Sequence, residues 1–235
     1  MGNRLSQADA EAKAEAEAEA EAERRCRSEA TRKAEVDCKL PHNYEAIIKD
    51  SDSPVDVSSK AKLYEQLHNG VFLNGRRKKY WVDERGNNCF MLFANDLLIT
   101  WADTNRYWRW VDLQTSDGLM SVAELISVCW LEVHGRFNTA NLSPNVRYEV
   151  AYLIMLDEIA FGWEVPINLR IKFCDGSRQE CRENLKEKPR KQWIQIPVGE
   201  VEECMGEIEF SLFEYESGRW KCGLIIKGVI IHPKM

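Results

Sequence analysis

No C-x-x-C pair occurs among the eight cysteines of this 235-residue chain and its four histidines are scattered, so a structural zinc site is not expected. No apolar run approaches the ~20 residues that a helix needs to cross a bilayer. No charged-then-apolar leader opens the sequence, so Cys26, Cys38, Cys89, Cys129, Cys174, Cys181, Cys204 and Cys222 read as reduced thiols of a cytoplasmic protein. Cys89 and Cys129 sit inside apolar runs and read as small buried hydrophobes. An excess of one charge is lacking as well: residues 1–39 carry 8 basic and 10 acidic groups, and residues 76–235 carry 21 and 23. A balance this even leaves no basic stripe for nucleic acid. Catalytic signatures are missing too, with no H-E-x-x-H, G-x-S-x-G or P-loop. Adjacent acids such as Asp157 and Glu158 would point to opposite faces of a strand, whereas glycoside hydrolysis needs two carboxylates held ~5 to 9.5 Å apart across a cleft. Neither an enzyme nor a cofactor is expected.

What is present divides into three stretches. Residues 1–39 hold a low-complexity run in which alanine alternates mostly with Glu from Ala8 to Ala22, a composition of high helix propensity. Period-two alanine spreads methyls round a helix, so a solvated helical tail is expected rather than a coiled coil. Met1-Gly2-Asn3-Arg4-Leu5-Ser6 fits the N-myristoylation pattern at Gly2. One acyl chain beside an acidic run implies only weak, reversible membrane contact. Residues 40–75 read as a connector, with a short amphipathic helix over Lys60 to His68 that ends near Asn69-Gly70.

Residues 76–235 read as all β. Candidate strands are Tyr80 to Val82, Cys89 to Phe93, Leu97 to Trp101, Tyr107 to Val111, Leu125 to Phe137, Arg147 to Leu156, Ile167 to Phe173, Gln192 to Pro197, Glu207 to Tyr215 and Gly223 to Ile231, with turn signals between many of them. Short strands at this spacing favour a sandwich or jelly roll. Strict alternation puts Ile208, Phe210 and Leu212 on one face of a half-buried strand.

Trp101, Trp108 and Trp110 fall within ten residues, with Tyr107 between them and Asp103, Thr104, Asn105 and Arg106 alongside. Flat aromatic faces meet the C–H face of a sugar ring, while Asp103 and Asn105 can satisfy its hydroxyls. Tryptophans this dense can equally fill a sandwich core, and spacing alone leaves both readings open.

The stretch Lys79-Tyr80-Trp81-Val82-Asp83-Glu84-Arg85-Gly86-Asn87-Asn88-Cys89-Phe90-Met91-Leu92, followed by Ile99-Thr100-Trp101-Ala102-Asp103, Tyr107-Trp108-Arg109-Trp110 and Val128-Cys129-Trp130-Leu131-Glu132, resembles the plant phloem-protein-two (Nictaba-related) lectins. Ordered blocks continue through Phe161-Gly162-Trp163, Gly206 to Phe210 and Trp220 to Gly228, so the resemblance is dense over residues 79–235 and looser over 41–78. It implies a β-sandwich lectin domain that binds N-acetylglucosamine oligomers and the N-glycan cores of glycoproteins without catalysis. The family's two sugar-linked tryptophans match Trp101 and Trp108. Trp110, Trp130 and Trp163 are read as core. Trp220, after the Glu216-Ser217-Gly218 turn, is carried as a wall of the site, with Glu214 as a hydroxyl acceptor. Shallow aromatic sites bind weakly one at a time, so a homodimer is expected to add avidity.

A different reading makes the chain a structural phloem component whose accessible thiols Cys26, Cys38, Cys204 and Cys222 cross-link on oxidation. Two features limit the transfer from the family. The basic run Lys186-Glu187-Lys188-Pro189-Arg190-Lys191 is interrupted, so nuclear entry is not expected; and the Ala/Glu tail has no counterpart in the minimal lectin. Arg76-Arg77-Lys78-Lys79 reads as a solvated strand edge, and the Asn141-Leu142-Ser143 sequon, followed by Pro144, as unused.

Overall fold

Residues 39–115, 118–202 and 206–234 are described by a computed structural model. The expectations for Gly2, the Ala/Glu run, Cys26, Cys38 and Cys204 fall outside those residues. Among the described residues, thirteen strands form: β1 (Val71–Leu73), β2 (Lys78–Val82), β3 (Asn88–Phe93), β4 (Leu98–Ile99), β5 (Trp108–Thr115), β6 (Gly118–Leu125), β7 (Leu131–Asn138), β8 (Tyr148–Phe161), β9 (Ile167–Lys172), β10 (Arg178–Glu183), β11 (Ile194–Val201), β12 (Glu207–Glu214) and β13 (Cys222–Pro233). They build two antiparallel sheets, the all-β architecture that the alternation predicts. One runs β1-β2-β3-β13-β6-β5, with β8 along the other edge of β13 and β11 beyond it; the second runs β10-β9-β12-β7-β4.

The core lies between the sheets. Ile208, Phe210 and Leu212 of β12 face inward beside Leu131 and Val133 of β7 and Leu169 of β9, and Tyr152, Ile154, Leu224 and Ile226 of the larger sheet belong to the same buried cluster. Each such aliphatic side chain contributes roughly 1.5–3 kcal/mol by leaving water. β10 escapes sequence reading because its six residues, Arg-Gln-Glu-Cys-Arg-Glu, form a polar edge strand.

The amphipathic helix expected over Lys60 to His68 forms as Lys60–Asn69, and residues 41–75 pack into the domain rather than only leading to it. The compact unit begins at Pro41. Ile47 of α1 (Tyr44–Ile47), Leu63 and Leu67 of α2 (Lys60–Asn69) and Leu73 of β1 all join the central core, which makes this stretch part of the domain. The Ser59 hydroxyl caps α2 by accepting from the Lys62 N–H, and the Asp52 carboxylate accepts from the backbone N–H groups of Gly75 and Arg76.

Two expected strands are cut short, and both interruptions shape one end of the sandwich. Leu125 to Phe137 is two strands, because the buried Val128 between them makes an isolated bridge to Lys221, and Tyr107 accepts from the backbone of Ile126 and Ser127. The strand expected over Leu97 to Trp101 shrinks to Leu98–Ile99, since the chain turns at Trp101 with φ 64°.

Candidate functional site

Trp101 occupies the left-handed region, where a bulky side chain is a strained outlier. Its surroundings hold it there. The Thr100 N–H donates to the Glu132 carbonyl at 3.0 Å, Ala102 N–H to Ile99 at 3.1 Å, and Thr104 N–H to Trp101 at 3.1 Å. From β5 two indoles grip the same turn: Trp108 Nε1–H donates to the Thr100 carbonyl at 3.1 Å and Trp110 Nε1–H to the Ala102 carbonyl at 3.2 Å. The result is a fixed turn that leaves the Trp101 indole 42% exposed, with the Tyr107 ring 5.0 Å away at a 35° tilt.

Trp108 corrects the expectation for the second motif tryptophan. It is 1% exposed, the first residue of β5, and its ring fills the core while its N–H secures the turn. A ring sealed in this way cannot lie against a sugar; Trp108 positions the turn that carries Trp101. Asp103, Asn105 and the half-buried Tyr107 do lie on the turn beside Trp101, with Asp103 and Asn105 exposed.

Across the β4–β7 pairing lies a group that sequence reasoning missed. Glu132 accepts from Trp130 Nε1–H at 2.9 Å, from the Thr100 hydroxyl at 3.3 Å and interacts with His134 Nε2 at 2.9 Å. Burial pushes its carboxyl up, but those three partners outweigh burial and hold it below the usual carboxylate range. Trp130 and Trp110, expected in the core, are both exposed, whereas Trp163 is buried as expected and donates its indole N–H to the Cys222 carbonyl. A signal for Trp130 and Glu132 was present: with Leu131 turned inward, strand alternation turns both neighbours outward.

Glu214 is not a hydroxyl acceptor. The alternation that turns Leu212 inward turns Glu214 inward too, and it pairs there with the fully buried Lys221. Burial pushes the Glu214 carboxyl up, but the Lys221 ammonium and the Ser217 N–H and hydroxyl outweigh that and hold it low. Lys221 also donates to the Arg219 carbonyl at 2.9 Å and the Cys129 carbonyl at 3.5 Å, so the pair ties the 126–130 loop to the 215–221 turn. Trp220 on that turn is 51% exposed. Its carbonyl oxygen would lie 2.1 Å from a Cβ at Gly162, where φ is 87°, so only glycine allows the two loops to meet.

Trp101 stands exposed on a surface turn. A groove of about 490 Å³ lies elsewhere, lined by residues that include Gln66, Gly70, Phe72 and Arg76. Among the described residues, no three His, Cys, Asp or Glu side chains converge to hold a metal. Cys222, expected among the accessible thiols, is buried with its S–H toward the Ile159 carbonyl, while Cys174 and Cys181 are exposed.

Comparison with known proteins gives a consistent picture. The family profile described as PP2, Phloem protein 2, matches residues 87–233. A lectin from Luffa acutangula is 47% identical over 202 residues, covering 83% of this chain and 96% of that protein. Protein PHLOEM PROTEIN 2-LIKE A1 from Arabidopsis thaliana is 45% identical over 203 residues, covering 83% and 82%. A solved structure of TmCBM61 in complex with β-1,4-galactotriose superposes on 59% of this chain and 87% of its own at 12% identity, with a TM-score of 0.37, a likeness too slight to build on.

Proposed function

The chain belongs to the phloem protein 2 family, and from that premise we propose that it is a carbohydrate-binding lectin whose ligands are N-acetylglucosamine oligomers and N-glycan cores. The observation that carries the reading is the exposed Trp101 ring, flanked by Tyr107 and carried on a turn that two indole N–H groups hold by its backbone carbonyls. A preset turn costs little entropy to use, which suits a weak, shallow site. Asp103 and Asn105 offer polar groups at its rim, and that the Luffa relative is named a lectin supports the class.

Binding proceeds without catalysis, in the cytoplasm or phloem sap. Pairing of two copies raises avidity on glycans that carry several ligands, and an acyl chain on Gly2 adds only reversible membrane contact. A glycan array probed with the full chain tests the ligand class. The expected pattern is retention on chito-oligomers and N-glycan cores; a chain that ignores every N-acetylglucosamine-containing glycan refutes the reading.

A further inference from the structure

We propose that Trp130 and Tyr215 form a second sugar platform beside Trp101, so that the preferred ligand is a linear oligosaccharide long enough to lie on both. The proposal rests on the reading of Trp101 as a sugar platform and extends it along the sheet.

β12 and β7 run antiparallel with Glu214 opposite Leu131, and one residue further along Tyr215 meets Trp130. Their rings stack at 4.4 Å with an interplanar angle of 16°, and Phe213 continues the stack at 5.5 Å from Tyr215. One face of the Trp130 indole is thereby covered. At 43% exposure, the other face is open to a ligand. The indole cannot swing away freely, because its N–H is held by Glu132.

Glu132 joins the two platforms. Thr100, which precedes Trp101, donates its N–H to the Glu132 backbone carbonyl and its hydroxyl to the Glu132 carboxylate, and Trp130 donates to the same carboxylate oxygen. Trp130 and the residue that precedes Trp101 therefore share one carboxylate. A carboxylate offers about four acceptor positions, and Thr100, Trp130 and His134 occupy three. The fourth lies on Oε1, the oxygen that meets His134, and in this proposal it accepts from a sugar hydroxyl. An aromatic face meets the C–H face of a pyranose, and a carboxylate accepts from its hydroxyls.

Calorimetric titration of the full chain with chitobiose and chitotetraose tests this, using Trp130→Ala, Trp130→Leu and Trp101→Ala. Trp130→Leu keeps apolar bulk without an aromatic face and covers the case in which the alanine variant folds poorly. Both Trp130 variants should weaken chitotetraose about tenfold, the equivalent of one missing stacking contact, while chitobiose binding stays within about twofold. Trp101→Ala should weaken both ligands. If folded Trp130 variants bind chitotetraose like the wild type while Trp101→Ala does not, the second platform is wrong and the first stands. If Trp101→Ala changes nothing while the Trp130 variants lose chitotetraose, Trp101 is wrongly assigned and the proposal of one ligand spanning both rings falls with it. A wild type that binds neither oligomer overturns both.

Discussion

Replacing Lys221 with Met removes one charge from a buried ion pair and leaves the hydrocarbon stem almost unchanged. Lys221 has no exposed surface and Glu214 almost none, so the remaining carboxylate would be stranded without a cation. Breaking such a pair by deleting one partner costs about 3–5 kcal/mol. For a domain of 150–250 residues each kcal/mol lowers Tm by about 2–4 °C, so a fall of roughly 6–20 °C at pH 7 is expected by scanning calorimetry. The pH dependence has a defined sign. The folded-state carboxyl of Glu214 lies below its ordinary value, so in the wild type the pair's stabilisation is present above about pH 4.3 and fades as pH falls further. Without Lys221 only burial and the Ser217 bonds remain, Glu214 takes up a proton more readily, and the deficit against wild type should shrink between pH 7 and pH 5. Adding Glu214→Gln to Lys221→Met should recover part of the loss by coupling. A Tm within about 2 °C of wild type at pH 7 would refute the buried pair.

Further predictions separate the tryptophans and the acid between them. Trp101→Gly should raise stability by about 1–2 kcal/mol in urea titration, because glycine takes φ 64° without strain, and should abolish chitotriose binding; loss of stability would contradict the turn geometry. Trp108→Ala should cost about 3–5 kcal/mol, as a large core truncation does, and a Tm near wild type would show that the ring is not core. The Glu132 carboxyl is held below its usual range by Trp130, His134 and Thr100, so wild-type affinity should fall in acid as the carboxylate takes a proton; Glu132→Gln should bind more weakly at pH 7 and lack that loss.

The sandwich was legible because period-two alternation survives wherever a strand has one wet face, as in Ile208, Phe210 and Leu212. It failed at β10, whose edge position frees both faces to be polar, and at β6, where Gly, Ser and Glu dilute the apolar pattern. At the site, two tryptophans seven residues apart have opposite fates, and composition could not separate them. Trp101 adopts a conformation that its own bulk opposes and that the β5 indoles and the β7 backbone impose, which no local propensity reveals. Trp110 shares a strand face with the buried Trp108, yet β5 is the last strand of its sheet, and there the cover over the inner face runs out. Glu214 and Glu132 could have been sorted by alternation alone: the first shares its face with Leu212, the second opposes Leu131.

Indole N–H resonances in a ¹⁵N-tryptophan-labelled protein, followed while chitotriose is added, test most directly which rings touch sugar. The structure predicts that the Trp101 signal shifts with saturable dependence while that of Trp163, tied to the Cys222 carbonyl inside the sandwich, stays in place, and that of Trp108, whose N–H holds the turn from below the surface, moves far less than Trp101. A stationary Trp101 signal in protein that demonstrably binds chitotriose would contradict the account.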